Sequence, residues 1–205
     1  MYRHDIITAV LAQRVLGIIR TADAAGAIEA GRQLLTAGLG VIEVTLTNPQ
    51  ALQAIGQLCE QFPAATIGAG TVLDEASAVA AIRAGASFVV SPNLNLEVVR
   101  AAHRYGAAAL PGTGSVDEIV RALEAGADAI KLFPASSFGP GWIADVRAAL
   151  PQAPIVPTGG ISPETAPAWI EAGAAACGIG SALTKGDPAT INDRIAGLLA
   201  ELYRG

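Results

Sequence analysis

The chain has 205 residues, 52% of them hydrophobic but only 4% aromatic, so its core must be built mainly from Ala, Val, Ile and Leu. Its 13 basic residues stand against 18 acidic ones, a formal net charge of −5 with no basic run. That argues against a nucleic-acid or anionic-membrane surface, while a basic pocket for a small anion stays open.

The N-terminal stretch MYRHDIITAVLAQRV carries Asp5 and Gln13 inside its apolar pattern and reads as an amphipathic helix, not a signal peptide. No long uncharged apolar span follows, so a soluble, cytoplasmic protein is expected. Short apolar or β-branched runs then recur at 15–19, 41–46, 65–69, 87–91, 107–111, 128–133, 154–158 and 176–180, eight candidate strands. Ala-rich stretches with helical periodicity lie between them, and several end in Ala-Gly, at Gly38, Gly85, Gly126 and Gly173, a helix-stop signal just before the next strand. Strand then helix, repeated, predicts parallel pairing. Eight repeats favour a compact single-domain (β/α)₈ TIM barrel over residues 1–205 with an N-terminal helix. An open doubly wound sheet is the alternative, but its GxGxxG fingerprint is missing after the first strand, where GIIRTAD stands. Cys59 and Cys177 have no CxxC or metal spacing and read as reduced thiols.

Alternation along a strand sorts the polar residues. In VIEVTLT, Ile42, Val44 and Leu46 face the outer helices and Glu43, Thr45 and Thr47 face the interior. In DAIKLF, Ile130 and Leu132 point outward, leaving Lys131 and Phe133 inward. Two strands thus aim opposite charges into one small lumen. A buried Glu43–Lys131 ion pair serving packing specificity is one reading, and catalysis is the other. Arg20, Thr71, Pro92, Asn93 and Thr158 fall at C-terminal strand ends, the active face of a barrel. Two glycine-rich turns, PTGGIS (157–162) and GIGSAL (178–183), follow the seventh and eighth strands, where backbone N–H groups can hold phosphate.

A neutral lysine amine attacks a ketone to form an iminium, an electron sink for carbon–carbon cleavage, and Glu43 is placed to move the protons. Apolar neighbours such as Phe133 would keep some of the amine neutral. With only His4 and His103 in the chain, neither a catalytic metal nor a histidine-activated nucleophile is expected, and His103 reads as an exposed helix residue. Trp142 and Trp169 read as packing residues.

Taken in order, GIIR (17–20), IEVTLTNPQA (42–51), IGAGTVL (67–73), VVSPNLN (89–95), PG (111–112), IKLFPASSFGP (130–140), PTGGIS (157–162) and GIGSALT (178–184) resemble the class I 2-keto-3-deoxy-6-phosphogluconate aldolase family. The resemblance runs over nearly the whole chain. It implies a homotrimeric (β/α)₈ barrel, with no cofactor, that splits a six-carbon phosphorylated keto-deoxy acid into pyruvate and glyceraldehyde 3-phosphate. By motif, Lys131 matches the Schiff-base lysine and Glu43 the general acid/base. Thr71, Pro92, Phe133 and Thr158 match the pyruvate pocket, Gly159, Gly160, Gly180 and Ser181 the phosphate turns, and Arg20 a substrate-anion contact. The chain departs from the phosphogluconate branch at Thr47, where that branch has an arginine for the pyruvoyl carboxylate. A small polar residue there, and the SSFGP segment, resemble the 2-keto-3-deoxy-6-phosphogalactonate branch, whose substrate is the C4 epimer. Thr113, in the fifth loop PGTGS, is a further candidate for lining the site. Two other functions fit the same polar residues: a phosphosugar isomerase or epimerase with Glu43 as base, and a non-catalytic phosphate-ligand binding barrel.

Overall fold

The computed structural model describes residues 2–203. Its elements run α1 (Arg3–Ala12), β1 (Val15–Ile19), α2 (Ala24–Thr36), β2 (Val41–Thr45), α3 (Ala51–Gln61), β3 (Thr66–Gly70), α4 (Glu75–Arg83), β4 (Phe88–Val90), α5 (Leu96–Arg104) and β5 (Ala108–Leu110). They continue with β6 (Gly112–Thr113), α6 (Val116–Glu124), β7 (Ile130–Leu132), α7 (Pro140–Ala149), β8 (Ile155–Pro157), α8 (Ala166–Glu171), β9 (Cys177–Ile179), α9 (Ser181–Thr184) and α10 (Pro188–Leu202). Each of the eight expected strands is present, trimmed by a residue or more at most ends.

The same local chemistry begins and ends the helices. Asp23, Asp74, Asn95, Ser115 and Asp187 each accept a first-turn backbone N–H through the side chain, which satisfies a donor the helix itself cannot. At the other end the Ala-Gly signals close as Schellman turns. Gly38 sits at φ 99, its N–H donates to Leu35, and the Leu39 N–H reaches back to Leu34. Gly85, Gly126 and Gly173 repeat the pattern.

All the strands pair in parallel, but not as the one closed eight-stranded ladder expected from the sequence. One sheet has the order β5-β4-β3-β2-β1-β9 and a second the order β6-β7-β8. The break between β5 and β6 is Pro111, which has no N–H to give a ladder. Individual bonds cross both seams: Asp128 N–H to the Ala109 carbonyl (3.0 Å) and Lys131 N–H to the Pro111 carbonyl (2.9 Å) on one side. On the other stand the bridge Thr158↔Gly178 and the bond from Ala175 N–H to the Ile155 carbonyl (2.8 Å).

Two apolar layers follow from the alternation. Ile42, Val44, Ile130 and Leu132 pack outward with the helices. Leu16, Val41, Phe88, Val90, Leu110 and Val156 fill the inner side, and Ile6 and Val10 of α1 close it at the end where the strands begin. In a chain so poor in aromatics, Phe88 supplies much of that filling, and it fits because Gly68 beside it has no Cβ to overlap the ring. Asp128 ties α1 down: its carboxylate accepts from Ala109 N–H (2.9 Å), pairs with Arg3 Nε (3.1 Å) and meets His103 Nε2 at 3.1 Å. His103 is therefore half-buried and partnered, not the free surface residue expected, because α5 turns it toward the strand bottoms. Trp169 is buried and Trp142 packs on Phe138 in a tilted contact, ring centroids 4.8 Å apart, so both tryptophans do pack. No helix of the described residues is long and apolar enough to cross a membrane.

Candidate active site

With its lower end plugged by α1, the inner side opens at the C-terminal strand ends into a cavity of about 620 Å³. Strand register decides what reaches it. Ile18 pairs with Glu43, Glu43 with Gly68, Lys131 with Val156, and Thr158 bridges Gly178. Side chains of one face are thereby stacked around a common space.

The cavity is lined by Lys131 and Glu43, by Arg20, Thr71, Pro92, Phe133 and Thr158, and by Gly159, Gly160, Gly180 and Ser181. The residues expected to carry the chemistry, the pyruvate pocket and the phosphate turns thus all lie on its walls. Ile161, Ser162, Gly178 and Ala182, all within the two glycine-rich turns expected from the sequence, line it too, and Ile18 does so outside any expected segment. Ile18 was findable, since alternation puts it on the face of Arg20 two positions on. The part Gly178 plays was not, because it is a missing Cβ that would collide with Thr158. Asn93 and Thr113 do not line the cavity. Thr113 is buried and turns its hydroxyl to the Lys131 carbonyl (3.3 Å). Thr47 is exposed at the end of β2, its hydroxyl 2.9 Å from that of Thr45.

Glu43 is 1% exposed and Lys131 6%. Burial pushes the Glu43 carboxyl above its ordinary range, against the opposing pull of Lys131 and Arg20. Burial likewise pulls the Lys131 amine down; Glu43 opposes that shift and Arg20 adds to it. Both groups are thus moved toward neutrality, the direction desolvation dictates. Among the described residues they form no ion pair with each other, and Glu43 Oε2 is buried without a hydrogen-bond partner. A structural salt bridge would have closed that gap. The Lys131 Nζ instead stands 5.0 Å from the centroid of the Phe133 ring, which forms the open side of the pocket.

Glycine makes room for the carboxylate: a Cβ on Gly70, opposite Thr45 on β3, would stand 2.7 Å from Glu43 Cδ. One residue on, Thr71 is held at φ 59, a left-handed conformation rare for a β-branched residue. At the far side of the cavity the turn after β8 puts Gly159 at φ 97 and Gly160 at φ 80. Among the described residues the N–H groups of Gly160, Ile161 and Gly180 have no acceptor within the chain, while the Thr158↔Gly178 bridge takes up the Gly159 N–H. Unpaired amides beside a cavity are anion donors. No cluster of three or more His, Cys, Asp or Glu that could hold a metal ion occurs among the described residues.

A buried amine whose pKa burial lowers, an unpartnered carboxyl group above its ordinary range and a row of free amides fit a class of enzymes that activate a ketone by imine formation while holding an anionic tail. Comparison with known proteins narrows it. Residues 6–196 match the family model described as KDPG and KHG aldolase, and the chain belongs to that family. It is 41% identical, over 73% of this chain and 74% of the relative, to the 2-dehydro-3-deoxy-6-phosphogalactonate aldolase of Escherichia coli. The 2-keto-3-deoxy-6-phosphogluconate aldolase of Zymomonas mobilis, solved with 3-phosphoglycerate, is 32% identical with a TM-score of 0.87, covering 97% of this chain and 96% of that one. The KDPG aldolase of Legionella pneumophila, solved with pyruvate captured as a covalent carbinolamine, is 28% identical with a TM-score of 0.81 over 97% of each chain. The chain is therefore an aldolase, a carbon–carbon lyase.

Proposed function

We propose that the protein cleaves 2-keto-3-deoxy-6-phosphogalactonate, or its C4 epimer 2-keto-3-deoxy-6-phosphogluconate, to pyruvate and D-glyceraldehyde 3-phosphate through an imine on Lys131. The observation that carries this is the buried Lys131 amine facing the unpartnered Glu43 carboxyl in one cavity. The neutral amine attacks the C2 ketone, and Glu43 supplies the proton with which the carbinolamine hydroxyl leaves as water. Glu43, now a carboxylate, takes the proton of the C4 hydroxyl. The C3–C4 bond breaks, its electron pair flows into the iminium, and aldehyde and enamine result. Glu43 returns the proton to C3, and water releases pyruvate and the free amine.

In this reading Arg20 contacts a substrate anion, and Thr71, Pro92, Phe133 and Thr158 hold the pyruvoyl end. The turns at Gly159, Gly160 and Gly180, through the free amides of Gly160 and Gly180 and with Ser181, hold the phosphate. The galactonate epimer is favoured by Thr47 and by the Escherichia coli relative. The chemistry needs no metal or other cofactor, because the imine itself is the electron sink. We take the two sheets as one single-domain (β/α)₈ barrel, supported by the hydrogen bonds across both seams. A homotrimer is the assembly implied by the family resemblance, a cytoplasmic location is the one the sequence suggests, and Leu73, 55% exposed two residues after Thr71, leaves apolar surface for a second copy.

The test is turnover of each epimer by wild type and Lys131→Arg. A guanidinium stays protonated and forms no imine, so the variant is expected to lose cleavage. Near-full turnover in Lys131→Arg would overturn the mechanism in favour of an enzyme without a covalent intermediate.

A further inference from the structure

Two residues that shape the glycine turn lie outside the cavity. Ala135 and Ser136 belong to a short 3₁₀ turn, Ala135–Ser137, that follows the lysine strand. The Ala135 N–H donates to the Thr158 carbonyl at 2.8 Å and the Ser136 N–H to the Gly159 carbonyl at 3.0 Å. These bonds prolong the β7–β8 ladder, in which the Thr158 N–H donates to the Leu132 carbonyl at 2.9 Å. One continuous rack therefore runs from the lysine strand to the glycine turn.

In a trans peptide unit the carbonyl and the N–H point in opposite directions. Pinning the Thr158 carbonyl toward Ala135 turns the Gly159 N–H away from the 3₁₀ turn. Pinning the Gly159 carbonyl toward Ser136 does the same for the Gly160 N–H. The Gly159 N–H is turned onto the Gly178 carbonyl of the neighbouring strand, while the Gly160 N–H lacks an acceptor among the described residues; Gly159 and Gly160 line the cavity and Ala135 and Ser136 do not. The fit is close. A Cβ on Gly160 would come within 2.8 Å of Ser136 Cβ, and one on Gly159 within 3.3 Å of the Phe133 ring.

We propose that the backbone of Ala135 and Ser136 is a positioning element that presets the glycine turn so that its free amides, that of Gly160 first, cradle an anion, and so sets the preference for substrates with a terminal phosphate. This rests on the phosphate role given above to those amides. A free Gly-Gly turn would have to be ordered on binding, at an entropic cost that a templated turn has already met during folding.

The experiment measures kcat and KM for the phosphorylated keto-deoxy acid and for its dephosphorylated counterpart. The variants are Ser136→Pro, Ser136→Ala, Gly160→Ala and the double variant Gly160→Ala/Ser136→Gly. Ser136→Pro deletes the donor amide. It is expected to raise KM for the phosphorylated substrate about tenfold or more, the scale of a lost hydrogen bond to a charged group, while KM for the dephosphorylated one moves less than about twofold. Ser136→Ala keeps the amide and should lie nearer the wild type than Ser136→Pro. Gly160→Ala should raise the same KM, and Ser136→Gly in that background should recover part of the loss by removing the colliding Cβ.

The proposal is overturned if Ser136→Pro weakens both substrates equally, weakens neither, or is matched by Ser136→Ala. Should Ser136→Pro not fold, replacing Ser136 by its α-hydroxy acid, which deletes only the N–H, decides: a KM rise confined to the phosphorylated substrate supports the positioning role and an unchanged KM overturns it, whereas alanine at Gly160 is strained at φ 80 wherever Ser136 lies. Wild-type enzyme that does not distinguish the two substrates would sink the phosphate reading and this proposal together. Discrimination that survives in the variants would sink this proposal alone.

Discussion

Gly70→Ala tests how Glu43 is held. The added Cβ would stand 2.7 Å from Glu43 Cδ and 3.3 Å from its Cγ, and closer still to Oε1. Carbon atoms in contact rest at about 3.5–4.0 Å, so the carboxyl must retreat by about 1 Å. A displacement of that size costs about 10²-fold in rate, or about 2.7 kcal/mol of barrier at 1.36 kcal/mol per tenfold. Gly70 is not among the positive-φ glycines, so alanine fits the backbone there. The assay is the initial rate of pyruvate release, with thermal melting alongside to show that the fold survives. We expect kcat to fall about 10²-fold with a folded protein, and the same alanine to cost less in a Glu43→Asp background, where the shorter carboxylate already stands back. A kcat within about twofold of wild type would refute the claim that the seat of Glu43 is set by the missing Cβ.

Three further outcomes follow from burial. Glu43→Gln should slow turnover about 10²–10⁴-fold, the scale of general acid–base catalysis. It should also change the pH dependence of stability. The folded-state carboxyl titrates above 4.5, so the contribution of Glu43 to stability is constant below that pH, falls as pH rises from there through the folded value, and is constant again above it. The Gln variant lacks this loss, so its melting-temperature advantage should widen between pH 4.5 and the neutral range; a constant offset across that window would show that Glu43 is not shifted upward. Phe88→Ala should cost about 3–5 kcal/mol in denaturant unfolding because it empties the interior beside Gly68; a loss under about 1 kcal/mol would mean that layer is loosely filled. Asp128→Ala leaves the buried Ala109 N–H without its acceptor and frees Arg3 and His103, and should cost about 1–3 kcal/mol, checked by the same unfolding experiment.

The strands were legible because their period-two pattern and the Ala-Gly stops both act locally. Gly38, Gly85, Gly126 and Gly173 all adopt the positive φ that a Schellman turn needs, and each was visible as a full stop in the sequence. Glu43 and Lys131 announced themselves as charges on otherwise apolar strands. What could not be read were effects of close approach. Pro111 splits β5 from β6 only because its missing N–H faces a neighbouring strand, which is a fact of register. Gly68, Gly70 and Gly178 look like ordinary strand glycines until Phe88, Glu43 and Thr158 are seen filling the space a Cβ would take. Thr113 misled because a loop position near the site does not reveal which way the hydroxyl turns, and His103 because its partner Asp128 is 25 residues away.

The central claim is that burial makes Lys131 a nucleophile toward a keto acid. Its most direct test is the intact mass of the protein after incubation with pyruvate and sodium borohydride, followed by peptide mapping. The account predicts one reduced pyruvate adduct per chain, on Lys131, and none in Lys131→Arg. A folded wild-type protein that acquires no adduct, or acquires it on Lys185, the other lysine of the chain, would contradict it.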